Sequence, residues 1–192
     1  MGANNSQLSE IPDLELIIQE TGFTKAHICR LYNRFNQLDK EKTGKLTKEN
    51  FDSLRELAVN PLGERIIKAF FPDGQNSLDF RSFAKILAPF RPIAEGQDSS
   101  SAEPINSRNN KLRFAFRLYD EDKDGKISRE ELFQVLRLML GSQVSDDQLE
   151  SITDRTIQEA DTNGDQTISF EEFRKVLENV NVEQKMSIRF LR

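Results

Sequence analysis

Two twelve-residue runs near the end of the chain leave little freedom in how it folds. Residues 120–131 read DEDKDGKISREE, and residues 161–172 read DTNGDQTISFEE. In the first run Asp120, Asp122 and Asp124 stand at alternate positions, Gly125 follows at the sixth, and Glu131 closes the run at the twelfth. This satisfies every position of D-x-[DN]-x-[DN]-G-x5-E, the spacing with which a loop wraps Ca2+ in hard oxygen ligands. Gly125 permits the turn, the Lys126 carbonyl supplies the seventh position, and Ser128 at the ninth is short enough to act through a water. Glu131 reaches in from the following helix with both oxygens. The second run keeps Asp161, Asn163, Asp165 and Glu172, with Thr167 and Ser169 at the seventh and ninth positions. It departs at Gln166, where glycine is usual. A side chain at positive φ costs about 1 kcal/mol, small beside four or five metal bonds. Each run is expected to hold one Ca2+.

The runs belong to a fourfold repeat. Four segments share the order helix, polar loop with an apolar residue near its end, helix. The apolar loop residues are Leu46, Leu78, Ile127 and Ile168; Phe51, Phe83, Leu132 and Phe173 follow them and open apolar-periodic stretches. The first loop, DKEKTGKLTKEN from Asp39 to Asn50, ends in a neutral amide where two anionic oxygens are wanted. Lys40, Lys42, Lys45 and Lys48 crowd it with positive charge. The second, aligned on Leu78, begins at Phe71, which has no ligand atom, and ends at Ser82. Neither is expected to hold calcium, although both can still pair through their leucines.

Helical periodicity runs through the flanking segments. Ile28, Leu31, Tyr32 and Phe35 recur at spacings of three and four behind Thr24, an N-cap residue type. KLRFAFRLY (111–119) and the run around Leu149, Ile152 and Ile157 repeat the pattern, and long alternating strands are lacking. The segment from Glu131 to Leu140 is apolar on nearly all sides, so it must be covered on two faces. Residues 91–107, RPIAEGQDSSSAEPINS, mix Pro, Gly, Ser and acids with almost nothing to bury, and read as a flexible linker. The expected fold is all-α, four helix-loop-helix units in two lobes joined by that linker. Residues 1–20 form an N-terminal segment and helix, 21–90 the first lobe, 108–181 the second, and 182–192 an apolar tail.

Composition narrows the function classes. The 192 residues carry a net charge of −5 and 14 Phe, too many aromatics for a disordered chain. The acid is uneven: residues 1–100 hold 13 Lys and Arg against 14 Asp and Glu, residues 101–192 hold 14 against 18. This points at cations and argues against nucleic acid as the main partner. No apolar run approaches a membrane span, and the start lacks the pattern of a secretion signal. A single Cys (Cys29) and a single His (His27) exclude a disulfide framework and disfavour a Cys/His zinc site. Their place on an apolar-periodic helix suggests core. No Gly-rich phosphate loop or activated nucleophile is present, so no enzyme is expected.

Several longer segments resemble the calcineurin B homologous proteins, EF-hand subunits of plasma-membrane Na+/H+ exchangers. They are ETGFTKAHICRLYNRF (20–35), NPLGERIIKAFFP (60–72), NSRNNKLRFAFRLYD (106–120), DRTIQEAD (154–161) and VEQKMSIRFL (182–191). The resemblance covers the whole chain and extends to two degenerate N-terminal loops, two working C-terminal loops and a longer linker. Calcineurin B itself is similar but keeps four calcium loops and a shorter linker. The resemblance implies two EF-hand pairs. It also implies that the protein binds an amphipathic juxtamembrane helix in the exchanger's cytosolic tail and supports its activity, stability and surface delivery.

MGANNS at the start fits N-myristoylation at Gly2. One acyl chain gives only marginal membrane affinity, and no basic residue precedes Lys25, so peripheral membrane contact would depend on a membrane-protein partner. The cytoplasm and the cytoplasmic face of the plasma membrane are the expected locations. An open EF-hand lobe takes an apolar helix in a groove. Leu132, Val135, Leu136, Met139 and Leu140 are candidates to line it, with Phe70, Phe83, Ile86, Leu87 and Phe90. Three Met against 14 Phe favour a stiff groove and one dedicated partner. Leu132–Val144 also resembles a nuclear export signal, which would allow shuttling through the nucleus, although such a helix is more often core. The tail from Val182 to Leu191 is apolar enough to pack across the groove when the partner is absent. Two other readings stay open: a calcineurin-type phosphatase regulator or inhibitor acting on the catalytic subunit, and a calcium sensor or buffer without a fixed partner.

Overall fold

The computed structural model describes residue 9 and residues 11–71, 75–91 and 103–186, with the side chains at 142, 183 and 184 excepted. Among these residues the chain is mostly helical. Its elements in order are α1 (Leu14–Thr21), α2 (Lys25–Leu38), α3 (Lys48–Phe51), α4 (Arg55–Ala58), α5 (Gly63–Phe70) and α6 (Phe80–Leu87), which runs into a 3-10 turn at Ala88–Phe90. There follow α7 (Arg108–Arg117), β1 (Lys126–Ile127), α8 (Arg129–Leu140), a 3-10 turn at Gly141–Gln143, α9 (Asp146–Ala160), β2 (Ile168–Ser169), α10 (Phe170–Val176) and α11 (Val182–Lys185). No helix among the described residues is long and apolar enough to cross a membrane.

The chain divides into two compact units. One comprises residues 1–55, 70–111 and 182–192, the other residues 56–69 and 112–181. Both ends of the segment 91–107 therefore lie in the first unit, and the passage into the second occurs inside α7, between Lys111 and Leu112. The described ends of that segment are held together: the Asn106 amide donates to the Arg91 carbonyl at 3.4 Å, and Arg91 donates to Asn106 Oδ1 at 3.2 Å. Asn106 is buried. Residues 92–102, Gly2 and residues 187–192 of the apolar tail lie outside the described residues.

In the first unit α6 packs against α1 and α2. Thr24 begins α2 as its N-cap, accepting from the His27 N–H at 3.2 Å. The helix buries Ile28, Leu31, Phe35 and Leu38, a stripe at spacings of three, four and three. Phe35 meets Phe80 and Phe83 edge-on at 5.5 and 5.7 Å between ring centroids, and Tyr32 meets Phe80 at 4.9 Å. His27 and Cys29 flank Ile28 but are only half-buried, because they stand at the margins of the stripe; the expectation that they are core is corrected. Leu46 and Leu78 exchange both backbone hydrogen bonds, at 2.7 and 2.8 Å, joining the first two loops.

Gly22 closes α1 at φ 66°, its N–H returning to the Ile18 carbonyl. The Arg91 guanidinium, the movable end of a long side chain, donates to the Gly22 carbonyl beside it, so it is the left-handed φ that favours glycine here. Glu20, two residues earlier, receives Arg81 at 2.6 Å and Lys85 at 2.9 Å from α6.

The second unit is built on α8 packed against α9. Its core comprises Phe116, Ile127, Leu132, Ile157, Ala160 and Ile168, with Tyr119, Leu136, Phe170 and Phe173 against it. Along α9, Leu149, Thr153, Ile157 and Ala160 are buried, and the Thr153 hydroxyl is satisfied by the Leu149 carbonyl at 2.8 Å. Ile152, which the periodicity groups with them, is 37% exposed. Arg65, from the segment 56–69, shows how that segment joins this unit. Its guanidinium donates to the carbonyls of Leu118 and Tyr119 at 2.9 and 3.3 Å and to Glu121 at 2.9 Å. Those carbonyls lie at the C-terminal end of α7, where a cation is favoured.

The Arg81 hydrogen bond, and after it that of Lys85, holds the Glu20 carboxyl down at about 2, against an ordinary value of 4.5. The folded state thus binds the Glu20 proton more weakly than the unfolded state, and the pairing stabilises fully only above about pH 4.5. Glu20→Gln should destabilise the protein at pH 6, and the gap from wild type should close as the pH falls toward 2. Urea denaturation of both proteins at pH 6, 4 and 3 checks this; a gap independent of pH would refute it.

Candidate metal centre

In the second unit the loops at 120–131 and 161–172 lie side by side through an antiparallel pairing of β1 with β2, Lys126 opposite Ser169 and Ile127 opposite Ile168. Both isoleucines are buried, which fixes the register: a one-residue slip would turn them to solvent. Each loop then enters its exit helix through a capping box. Ser128 caps α8 and Glu131 reaches back; Ser169 caps α10 and Glu172 reaches back.

The twelfth-position glutamates do more than cap. Glu131 Oε2 accepts from the Ser128 N–H at 2.9 Å and its hydroxyl at 2.7 Å. Oε1 accepts from the N–H groups of Glu121 and Asp122, at 2.8 and 3.3 Å. Glu172 repeats this, Oε2 with Ser169 at 2.9 and 2.7 Å and Oε1 with the Thr162 N–H and hydroxyl at 2.8 and 2.9 Å. Each carboxylate closes its loop from the far side, and both glutamates are buried. Burial alone would raise Glu131, but the Ser128 N–H and hydroxyl and the N–H groups of Glu121 and Asp122 outweigh it and lower it. Glu172 is held at about 2, first by the Ser169 N–H.

Among the described residues, the third loop brings three carboxylates closest together. One oxygen from each of Asp120, Asp122 and Asp124 lies within 4.8 Å of the others. Asp120 Oδ2 accepts from the Gly125 N–H at 3.2 Å, whereas Oδ1 is buried without a hydrogen-bond partner. Burial raises the Asp120 carboxyl, and the charges of Glu131 and Asp124 add to the rise. A buried acceptor left unpaired among like charges is unfavourable, and a cation would relieve both costs at once. The donor set is oxygen only, so the residues fit a hard divalent cation.

The fourth loop has the same backbone. Positions four and six are left-handed in each described loop of this type: Lys42 and Gly44, Lys123 and Gly125, Gly164 and Gln166. In the fourth loop the glycine stands at position four, and Gln166 takes the left-handed conformation at six with φ 62°. Asp161 accepts from the N–H of Gly164 at 2.7 Å and of Gln166 at 2.8 Å, and Asn163 from that of Asp165 at 2.9 Å. Asp165 is turned toward Lys126 Nζ at 2.8 Å and toward the Thr167 hydroxyl. The Lys126 hydrogen bond, then that of Thr167, pushes its carboxyl far down.

The first loop keeps this backbone and fills it differently. Asp39 is buried, and both of its oxygens are engaged: Oδ1 by the Thr43 N–H at 2.9 Å and hydroxyl at 3.1 Å, Oδ2 by the Gly44 N–H at 2.7 Å. The Thr43 hydroxyl is also 3.0 Å from the Lys45 carbonyl at position seven. A hydroxyl thus bridges two groups that a cation would join. Asn50 accepts from Thr47 at 2.7 Å within its own cap, and its amide has one oxygen to offer. In the second loop Phe71 is buried against Phe51, and Asp79 accepts from the Ser82 N–H as the cap of α6.

The apolar residues assigned to a partner groove divide between the units. Leu132 and Val135 are buried in the second unit, and Phe83 is buried in the first; they are core residues, a correction to that assignment. The helix at 131–140 is apolar nearly all round, so periodicity could not tell its core side. The same burial places two positions of the export-like segment inside the fold. Leu136 packs on the second-unit core. Met139 is 50% exposed, while Leu140, Phe70, Ile86, Leu87 and Phe90 are half-buried. Leu138, at 47%, and Val176, at 56%, are exposed apolar residues that periodicity did not single out.

The description "EF-hand domain pair" matches residues 109–178, which span both loops of the second unit. The calcineurin B protein of Naegleria gruberi is 44% identical over 189 residues, 98% of this chain and 99% of that protein. The chain belongs to the calcineurin B family of EF-hand proteins. The calcineurin B protein of Kluyveromyces lactis is 41% identical, over 98% of each chain, and that of Candida glabrata 38%, over 99% of each. As a calcineurin B-like protein with an EF-hand pair, the chain is a calcium binder.

Gln166 gives a direct test of the fourth-loop geometry. Gln166→Gly removes the side chain that opposes the left-handed conformation and should stabilise the second unit by about 0.5–1 kcal/mol. Chelator-treated wild type and variant compared by urea denaturation will show it; destabilisation would contradict the observed backbone.

Proposed function

We propose that this chain is a calcium-binding regulatory subunit whose second unit holds two Ca2+ ions and which clasps one amphipathic helix of a larger protein. The observation that carries the reading is the contrast between loops. The third and fourth loops present carboxylates at positions one and five and a buried glutamate at twelve, closed over the loop from below. The first has a hydroxyl at position five, that of Thr43, which bridges Asp39 to the Lys45 carbonyl, and it ends in an amide. In the third loop Asp120, Asp122, Asp124, Glu131 and the Lys126 carbonyl would be ligands, with Ser128 acting through water. In the fourth, Asp161, Asn163, Asp165, Glu172 and the Thr167 carbonyl would serve, with Ser169 in the place of Ser128. When bound, the ions would neutralise the acids that crowd each loop. The protein's own part is to hold those oxygens in place through the capping boxes and the Ile127–Ile168 pairing.

The partner we favour is a juxtamembrane helix in the cytosolic tail of a plasma-membrane Na+/H+ exchanger, whose activity, stability and trafficking the chain would support. The degenerate first and second loops favour this partner, because the resemblance ties that pattern to exchanger subunits. A second reading has its own support: the relatives are named as calcineurin B proteins. On that reading the helix belongs to a calcineurin catalytic subunit. Exposed Leu138, Met139 and Val176 give the second unit apolar surface for either helix. Myristoylation at Gly2, residence at the cytoplasmic face of the plasma membrane and passage through the nucleus belong to the exchanger reading.

Calorimetric titration of the full chain with an exchanger juxtamembrane peptide and a phosphatase B-binding helix separates the two. We expect tight binding of the exchanger peptide, loss of affinity in excess chelator, and the same loss in the double variant Glu131→Gln, Glu172→Gln. Stronger binding of the phosphatase helix would move the assignment to a phosphatase regulator. Binding of neither would refute the clasping role.

A further inference from the structure

The two cation loops of the second unit are joined by more than their backbone ladder. Lys126 sits at position seven of the third loop, where its carbonyl is the ligand atom, yet its ammonium crosses to the fourth loop. There it lies 2.8 Å from Asp165 Oδ2, the fifth-position carboxylate. The other oxygen of Asp165 accepts from the Thr167 N–H at 3.0 Å and from its hydroxyl at 2.5 Å. Lys126 also stands in the field of Asp124, from its own loop, and of Glu172, from the neighbouring one. The pairing of Lys126 with Ser169 across the ladder places the lysine stem beside the fourth loop, so the crossing needs no displacement of backbone.

We infer that Lys126 sets the calcium affinity of the fourth loop from within the third. The inference rests on the reading that both loops bind calcium. Three carboxylates and an amide make up the acidic and amide side-chain ligands of the fourth loop, and Lys126 neutralises one of the carboxylates. An incoming ion must share Asp165 with the ammonium or displace it, so the loop binds more weakly than its own sequence warrants. The same charge lessens repulsion among Asp165, Glu172 and Asp124 in the ion-free protein. Lys126 is therefore a positioning residue for Asp165, and its carbonyl and ammonium make one residue a party to both sites.

The test is calcium calorimetry on the full chain in the Glu131→Gln background, which disables the third loop and leaves the heat of binding to the fourth. Lys126→Met keeps the stem and removes the charge; Lys126→Arg keeps the charge. The Met variant should bind calcium about two- to five-fold more tightly, the factor an exposed ion pair is worth, and Arg should match lysine. The gain should shrink in high salt. In the chain with both loops intact, Lys126→Met should tighten one of two binding steps. Equal or weaker affinity of the Met variant, or a gain that Arg shares, would overturn the inference. Absence of calcium binding in every variant would overturn the calcium reading beneath it, an outcome distinct from equal affinities.

Discussion

A carboxylate at the third residue of a helix reaches back over the loop that precedes it, and the second unit depends on that reach. Glu131 and Glu172 each join the serine that caps their own helix to the N–H group of the residue two places into the loop. One side chain therefore fixes the start of the exit helix, the closure of the loop and the direction from which two anionic oxygens face the other ligands. Removing the charge, as Asn50 does in the first loop, leaves a cap but no arm across the loop. Helix propensity alone would not secure so short an element as α10; its capping box and its attachment to the β2 ladder do.

The two units solve a common geometrical problem with different chemistry. Each joins its pair of loops through a short antiparallel contact between buried aliphatic residues, Leu46 with Leu78 and Ile127 with Ile168. In the first unit the space inside the first loop is filled by hydrogen bonds from Thr43, and the second loop begins on a buried phenylalanine. Such a unit is complete without a cation. In the second unit a buried oxygen of Asp120 is left without a hydrogen-bond partner among like charges, an arrangement that a cation would relieve. On the proposed reading, calcium dependence is confined to the second unit.

Much of this was legible in the sequence because ligand spacing, glycine placement and apolar periodicity are local. The Gln166 departure announced a left-handed residue, and the backbone has it there. The stripe on α2 was readable because its polar face is plainly polar. The helix at 131–140 was not, since an apolar run on all sides does not say which side meets its own core. Leu132 and Val135 turned inward, and Leu138 outward. Contacts set by tertiary register were out of reach. Nothing local tells that Arg65 would hold the end of α7, that Lys126 would cross to Asp165, or that Lys111 would be wholly buried. The Pro- and Ser-containing segment at 91–107 read as a spacer between lobes, yet both of its ends belong to one unit, tied by Arg91 and Asn106.

The central claim is that the second unit holds two calcium ions and the first holds none. Native mass spectrometry of the full chain, exchanged from chelator into increasing free calcium, counts them directly. The account predicts a final state two calcium ions heavier than the ion-free protein, falling to one in either Glu131→Gln or Glu172→Gln. A chain that saturates at three or four ions, or that acquires none, would contradict it.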